Sequence, residues 1–322
     1  MGSISQVTAQ NVYFNNTYDF HLEANGFTSI VSNNIDSSLL VTGNYPTFPG
    51  QSIYVSKINF LGDTLWTKSY GNENYNFYTG QTNSINILNK NKFLMVGNVT
   101  DSSGNVDAML WVFNNNGDTI FTKRYDFSEW DNFSSTYIID SNQILITGSI
   151  RNGSLNDIIL IQTDSMGTII WQQSYGSVSE WEDGRSVDYD GSNIVVGGNQ
   201  QNSSGTSSKI YMVKADLSGN MVWDETFGQS ANAYGRAHIC SDGTYVVSGS
   251  MQPDTSDNLH SYLAKITPGK FKLWEKIYPF NLTKADGVVD IVSLPGGGIV
   301  GAGQTYNKES PSYYEGFIMK TD

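Results

Sequence analysis

Five short polar segments of this 322-residue chain, at residues 72–75, 128–131, 179–183, 231–234 and 283–286, each contain an acidic residue, an aromatic residue or both. An aromatic ring stacks on the apolar face of a sugar, and a neighbouring carboxylate accepts hydroxyl hydrogen bonds, so the combination suits carbohydrate. Packing between repeats and carboxylate bonds to loop amides are the alternative interpretation. The candidate ligand-binding residues in these segments are Glu73, Tyr75, Glu129, Trp130, Glu180, Trp181, Tyr234 and Asp286.

Two arginines, Arg185 and Arg236, complete the candidate ligand-binding set, and with His238 they are candidates to line a central channel. A lyase would need a base such as His or Lys together with a cation or an Arg. Carboxylate pairs such as Glu129 with Glu180 would serve glycoside hydrolysis if they lay about 5 to 9 Å apart. The sequence alone does not give the distance between two carboxylates, so we assign no catalytic residue. We expect binding rather than catalysis.

Neither a cofactor nor a metal site is predicted. Residues 101–107 are rich in oxygen ligands, but they lack the closing bidentate Glu of a calcium loop and are better interpreted as a hairpin. The lone Cys240 excludes an internal disulfide, and we expect it to be a packed thiol.

The elements that must position these residues repeat along the chain. Each copy runs from a polar residue through a Gly-containing turn to an aromatic seven positions on, and to a second aromatic four positions further. The first aromatics of the copies are Trp66, Phe121, Trp171, Trp223 and Trp274, in steps of 55, 50, 52 and 51 residues. A period of about 50 residues with four strand-sized segments indicates propeller blades.

A β-branched run ending in Gly occurs six times, at residues 39–43, 93–97, 144–148, 194–198, 245–249 and 299–303. We therefore predict an all-β, six-bladed β-propeller with four antiparallel strands per blade. The aromatic strand of the last copy should follow Asp322, the last residue. Residues 12–20 match residues 119–127, and Phe14 lies 52 positions before Trp66. The N-terminal strand is thus predicted to complete the last blade and close the ring.

The pattern Asp-x-x-Gly-x-x-x-Trp-x-x-x-Tyr-Gly at residues 164–176 carries a resemblance, together with Ile-Val-x-Gly-Gly at 194–198 and Tyr-x-Val-Lys at 211–214. It resembles the Trp-turn, delta-60-like propeller repeats of secreted Bacteroidetes proteins, over about residues 12–322. The resemblance implies a propeller and an exported protein, and it implies no particular activity.

The domain prediction is a leader at residues 1–10 followed by a single propeller domain at residues 11–322. Residues 7–9, Val-Thr-Ala, fit the small-residue cleavage site of a signal peptide, and an ordinary flexible N-terminus is the alternative. We expect an exported protein, located outside the cell, at its surface or in the periplasm. The sequence has no apolar run of about 18 residues, so membrane insertion is not expected.

A net charge of −13 and a pI near 4.5 disfavour nucleic acid and anionic membrane surfaces as partners. Our first hypothesis is a monomeric binding module that holds a glycan or protein ligand on the loop face above the channel. A carbohydrate-active hydrolase or lyase is the second hypothesis. The third is a structural component of an outer-membrane or secretion assembly.

Overall fold

In a computed structural model of the protein, the chain forms six antiparallel β-sheets arranged in a ring. The structure describes residues 26–47, 50–228, 233–252, 258–279, 285–306 and 314–321. These ranges contain no helix, and therefore none long and apolar enough to cross a membrane. The predicted fold, an all-β propeller of six blades, is confirmed.

The blades are numbered in chain order. Blades 1 and 2 contain β1 (Gly26–Asn33), β2 (Ser38–Thr47), β3 (Gly50–Asn59), β4 (Thr64–Tyr70), β5 (Tyr75–Thr79), β6 (Ile85–Asn89), β7 (Lys92–Asp101), β8 (Val106–Asn114) and β9 (Thr119–Tyr125). Blades 3 and 4 contain β10 (Asp131–Asp140), β11 (Gln143–Asn152), β12 (Leu155–Thr163), β13 (Ile169–Tyr175), β14 (Glu180–Tyr189), β15 (Ile194–Asn202), β16 (Ser208–Ala215) and β17 (Met221–Phe227). Blades 5 and 6 contain β18 (Ala233–Ile239), β19 (Tyr245–Met251), β20 (His260–Ile266), β21 (Lys272–Tyr278), β22 (Asp286–Ser293), β23 (Ile299–Tyr306) and β24 (Tyr314–Thr321).

Four blades have four strands that pair in sequence order, as predicted. Blade 2 differs because its inner strand is split into β5 and β6, both paired with β7. The described part of blade 6 has three strands, β22, β23 and β24. The predicted closing strand at residues 12–20 and the predicted leader at residues 1–10 lie outside the described residues.

The predicted Asx-Gly turns join the third and fourth strands of the blades. In blade 3, the Asp164 carboxylate accepts hydrogen bonds from the backbone N–H groups of Met166 at 2.9 Å and Thr168 at 2.7 Å. Gly167 follows with a φ of 72°, a left-handed conformation that glycine adopts without steric cost. The same bonds recur at Asn59, Asn114 and Asp216.

The third strands form the centre of the core because each sheet packs between two others. Leu160, Met212 and Leu263 occupy one register position in blades 3, 4 and 5, and each is 0% exposed. Burying such a side chain contributes about 1.5 to 3 kcal/mol. The residue at this position in blade 6, Ile318, is 80% exposed. The apolar face of blade 6 that corresponds to an interface elsewhere is thus open to solvent at Ile318.

In blades 1, 2 and 3 the second aromatic of the repeat fastens the blade to the next one. Tyr175 on β13 donates its hydroxyl hydrogen bond to the carbonyl of Gly219, in the turn of blade 4, at 2.6 Å. Tyr125 makes the same bond to Gly167, and Tyr70 makes it to Gly117, each also at 2.6 Å. We call this bond the blade clasp. The recurrence of the aromatic pair in the sequence is therefore explained by contact between blades.

Blade 4 carries Phe227 at the clasp position and uses other donors. The turn of blade 5 contains Pro268, whose carbonyl accepts hydrogen bonds from the Trp223 indole N–H and the Lys214 ammonium, both at 3.2 Å. The interface between blades 4 and 5 is thus fastened at the same place by different residues.

Candidate functional site

The predicted residues of blades 2, 3 and 4 lie where one blade crosses to the next. Glu73 and Glu129 are exposed, while Glu180 and the rings of Tyr75, Trp130 and Trp181 are half-buried. The guanidinium of Arg124 lies 5.9 Å from the ring centroid of Tyr75, and that of Arg151 lies 6.0 Å from the ring centroid of Trp181. These contacts fit the structural interpretation, since cation–π packing covers part of two of the rings.

Tyr75 also borders a cleft of about 380 Å³ on the outer side of blades 1 and 2. Its other aromatic lining residues are Tyr70, Phe77 and Trp111, and Arg124 contributes a charge. A ring-shaped group could therefore be held in this cleft as well as in the channel.

Asp286 is buried rather than presented to a ligand. Its carboxylate accepts hydrogen bonds from the Ser261 backbone N–H at 2.8 Å and the Ser261 hydroxyl at 2.7 Å, and it lies 3.1 Å from the Nδ1 atom of His260. Asp131 and Glu182 are buried at the corresponding place in blades 3 and 4. This part of the acidic pattern lies between blades.

Three predicted residues, Arg185, Tyr234 and Arg236, do come together in the channel. Arg185 is on β14 and Arg236 on β18, and each donates a hydrogen bond to the side-chain oxygen of Gln81 in blade 2, at 3.4 and 2.9 Å. The Arg185 guanidinium lies 5.2 Å from the ring centroid of Tyr234. Blades 4 and 5 thus meet blade 2 across the channel at Gln81.

Two further bonds fix the arginine side chains. Arg185 Nε donates to Asn199 Oδ1 at 2.6 Å, and Arg236 Nε donates to Thr82 Oγ1 at 2.9 Å. Both guanidinium planes are therefore oriented by partners on the inner and second strands of the ring. We call Gln81, Thr82, Arg185 and Arg236 the channel cluster.

Exposed tyrosines lie on opposite sides of the ring at the level of this cluster. Tyr234 pairs with Ser250, and Tyr78 pairs with Asn98, so each lies one residue before the position that faces a second-strand glycine. Tyr234 is 45% exposed and Tyr78 is 38% exposed. Blades 2 and 5 are opposite each other in a ring of six, so the channel mouth has an accessible aromatic ring on each side.

Gln81 and Thr82 belong to an insertion that sequence analysis did not identify. Thr79 and Ile85 are six positions apart and pair with Gly97 and Met95, whereas the corresponding Phe133 and Thr136 of blade 3 are three positions apart. Blade 2 therefore has three extra residues in its inner strand, and we call residues 80–84 the channel bulge. In the sequence, the insertion is indicated by the step of 55 residues between Trp66 and Phe121, since the other steps are 50 to 52 residues.

Backbone bonds to blade 3 hold the channel bulge in place. The N–H of Gln81 donates to the carbonyl of Ser134 at 2.7 Å, and the N–H of Thr136 donates to the carbonyl of Asn83 at 3.0 Å. A Cβ on Gly80 would lie 2.5 Å from the Ser134 oxygen, so the close approach requires glycine. The bulge is thus anchored by main-chain contacts, which leave the Gln81 side chain to meet the arginines.

The electrostatics of the channel cluster are those of two like charges with a neutral acceptor between them. Burial, together with the nearby Arg185 guanidinium, lowers the pKa of Arg236 to about 10, and burial also lowers the pKa of Arg185. Because an arginine side chain is not deprotonated in proteins, both groups stay charged at neutral pH. Within the described ranges, neither guanidinium has a carboxylate oxygen within 4.0 Å.

Next to the cluster, His238 lies between two acidic residues. Its Nε2 atom is 3.5 Å from Asp290 Oδ1, and Asp188 accepts a hydrogen bond from the backbone N–H of Ile239 at 2.8 Å. Burial lowers the pKa of His238 and raises that of Asp188. A neutral imidazole is therefore favoured, which is the form that a general base requires.

Among the described residues, one group of three carboxylates has the spacing of a metal site. Asp107, Asp126 and Asp131 offer oxygen atoms that all lie within 4.8 Å of one another. Protein groups already bind two of them: Arg124 Nε donates to Asp107, and the N–H groups of Phe127 and Ser128 donate to Asp131 at 2.7 and 2.9 Å. Residues 101–107 form the predicted hairpin, in which Asp101 accepts the N–H of Ser103 at 2.9 Å.

Comparison with known proteins supports the fold alone. No family model and no curated protein matches the chain. Among solved structures, puromycin hydrolase is 11% identical with a TM-score of 0.50, over 90% of this chain and 46% of that one. A Synechocystis apocarotenoid oxygenase is 10% identical with a TM-score of 0.50, over 91% and 68%. The β-propeller domain of the trilobed protease of Pyrococcus furiosus is 12% identical with a TM-score of 0.48, over 91% and 81%.

The chain spans less than half the length of the puromycin hydrolase and of a Pyrococcus horikoshii acylaminoacyl peptidase, of which it covers 45%. At these identities, the two matches with a TM-score of 0.50 show a likeness of fold alone.

Proposed function

We propose that this protein is an exported binding module that holds a glycan at the mouth of its channel. The observation that carries the proposal is the convergence of Arg185, Arg236 and the exposed Tyr234 around Gln81. Oriented N–H donors beside an accessible aromatic ring are what a sugar requires, because its hydroxyls need donors and its apolar face needs a flat partner. The resemblance of the repeats to those of secreted proteins supports export.

The test is a binding screen of the purified protein against an oligosaccharide panel, followed by calorimetry on the ligands that bind. Replacing Tyr234 with Ala removes the stacking surface, and we expect it to weaken binding about tenfold, as the loss of one aromatic contact predicts. The matched control is Phe271→Ala, which removes an aromatic ring that is 69% exposed on an outer turn. Its affinity should equal that of the unmodified protein.

A third variant, Tyr75→Ala, distinguishes the channel mouth from the outer cleft. If Tyr75→Ala weakens binding and Tyr234→Ala does not, the site is the cleft of blades 1 and 2 and the proposal is wrong about its place. If no oligosaccharide binds, the proposal of a glycan-binding module is wrong. Product analysis on each ligand that binds tests the hydrolase or lyase hypothesis, and turnover would replace the binding module with an enzyme.

A further inference from the structure

The two arginines of the channel cluster have more donors than the described residues accept hydrogen bonds from. Each guanidinium carries five N–H groups. Arg185 donates through Nε and Nη1 and Arg236 donates through Nε and Nη2, and these are the hydrogen bonds that the described residues accept from them. The described residues accept no hydrogen bond from the remaining nitrogens, Nη2 of Arg185 and Nη1 of Arg236, and neither nitrogen is sealed from solvent. These are therefore the donors left for a ligand.

The acidic residues nearest to the cluster are engaged elsewhere. Asp183 interacts with Arg185 at longer range, but its Oδ1 accepts a hydrogen bond from the Ser149 hydroxyl at 3.1 Å. Asp290 interacts with Arg236 at longer range, while its Oδ1 accepts the N–H of Ile291 at 2.9 Å and faces His238. These carboxylates reduce the local charge without occupying the space between the guanidinium groups.

What lies between the two charges is an amide oxygen. Two half-buried cations that converge on a neutral acceptor are unfavourable unless a negative group completes the arrangement. Planar guanidinium groups hold carboxylates through paired hydrogen bonds, and donors already fixed in orientation lose little freedom on binding. Asn199 and Thr82 provide that fixed orientation through the Nε atoms.

Resting on the proposed function, we infer that the glycan is acidic and that the carboxylate of one sugar unit binds Arg185 and Arg236 beside Gln81. The ring of the same sugar then lies against Tyr234, which already touches Arg185. The ligand class is a uronic-acid oligosaccharide. Because the protein has a net charge of −13, short oligomers are the suitable probes, since a long polyanion would be repelled by the rest of the surface.

The experiment compares a panel of short uronate oligosaccharides with their methyl esters by calorimetry on the intact protein. The ester keeps the sugar ring and removes only the charge. We expect the acid to bind about 10 to 100 times more tightly than the ester, as charge-assisted hydrogen bonds predict. Equal affinity for acid and ester would overturn the inference and leave the proposed glycan-binding function intact. Absence of binding to both forms and to neutral oligosaccharides would overturn both.

Variants locate the charge recognition. Arg236→Gln and Arg185→Gln should each weaken binding of the acid about 10 to 100 times and leave the affinity for the ester nearly unchanged. Arg151→Gln, which removes a charge near Trp181 instead, is the matched control and should keep the preference for the acid. Circular dichroism melting verifies that each variant folds. The comparison of acid with ester on the unmodified protein needs no variant, so a folding failure leaves the inference testable. A preference for the acid that survives both channel variants would overturn the assignment.

Discussion

The outer strands of this propeller make the same contact in several blades, whereas the inner strands carry side chains of different chemistry. On the outer strands, the clasp at Tyr70, Tyr125 and Tyr175 repeats with the same length of 2.6 Å to the same kind of acceptor. On the inner strands, one register position changes its chemistry around the ring: it is Ser135 and Ser186 in blades 3 and 4, Arg236 in blade 5 and Asp290 in blade 6.

This difference separates the scaffold from the site. Contacts that recur in several blades stabilise the ring, because each of them fixes one sheet against its neighbour. Side chains that occur in one blade only, such as Gln81 in the channel bulge, are not required by the ring and are free to serve a ligand. Changes to the outer strands should therefore alter the free energy of unfolding, whereas changes to the channel cluster should alter binding.

The largest effect should come from removing residues 11–18, which sequence analysis predicts to complete the outer edge of blade 6. If the ring is closed in this way, the deletion exposes that edge and lowers the melting temperature severely. Removing residues 2–9 instead deletes a stretch of the same length from the predicted leader, and this control should melt like the unmodified protein. A deletion of 11–18 that melts at the unmodified temperature would refute the closure.

The next effect should come from Trp171→Ala on an outer strand. The indole is half-buried and packs against Gly219, where an added Cβ would lie 2.6 Å from the ring. We expect a loss of about 2 to 4 kcal/mol, near or below the cost for a fully buried Trp. Chemical denaturation measures it, with the exposed Phe271→Ala as control. A loss like that of the control would mean that the ring does not hold the two blades together.

A smaller loss, about 1 to 2 kcal/mol, should follow from Tyr175→Phe, which removes the clasp hydroxyl and leaves the buried Gly219 carbonyl without its bond. Tyr278→Phe is the matched control, since Tyr278 ends the fourth strand of blade 5 and none of its described contacts is a hydroxyl hydrogen bond. Equal stability of the two variants in denaturant would show that the clasp contributes no net stability.

The smallest effect concerns the inner strands and depends on pH. Burial, with a further contribution from Asp157, raises the pKa of Glu182 above its ordinary value of 4.5. An acid with a raised pKa in the folded state destabilises the fold as pH increases past the pKa of the unfolded chain. Glu182→Gln should therefore gain stability relative to the unmodified protein between about pH 4 and about pH 8.

Denaturant titrations at both pH values measure this gain. Glu275→Gln is the control, because that carboxylate lies on the outer strand β21, where hydrogen bonds from the Lys272 ammonium at 2.6 Å and the Tyr262 hydroxyl at 2.8 Å lower its pKa. Its stability relative to the unmodified protein should not improve toward high pH. If Glu182→Gln and the unmodified protein differed in free energy of unfolding by the same amount at both pH values, the raised pKa of Glu182 would be contradicted.

The sequence was sufficient for the ring because its determinants are local. An Asp or Asn that binds the next turn of its own chain, followed by Gly at positive φ and an aromatic seven residues from the start, lies within one short window. These windows recur with a regular period, so the number of blades follows from counting them. The repeat also identified Arg185 and Arg236 as candidates, because they lie at corresponding starts of blades 4 and 5, and Tyr234, because it lies in a crossover segment between blades.

The arrangement of the site could not be predicted from the sequence, because it depends on contacts between residues that are far apart in the chain. Arg236 and Thr82 are 154 positions apart in the chain, and only the closed order of the blades brings them together. The candidate residues of the crossover segments also differ in burial, and the period of the repeat does not predict this difference. Asp286 is buried between blades, while Tyr234, from an equivalent segment, is open to solvent.

The channel bulge has a consequence for how such a ring changes its specificity. It adds three residues to one strand, it is held by main-chain bonds to one neighbour, and it brings a new side chain to the axis without altering the outer contacts. Insertions of this size in other inner strands would each supply a different group to the same point. The propeller is therefore suited to protein engineering. Short insertions in the inner strands would provide contacts to new ligands at the axis, and the outer strands would stay unchanged.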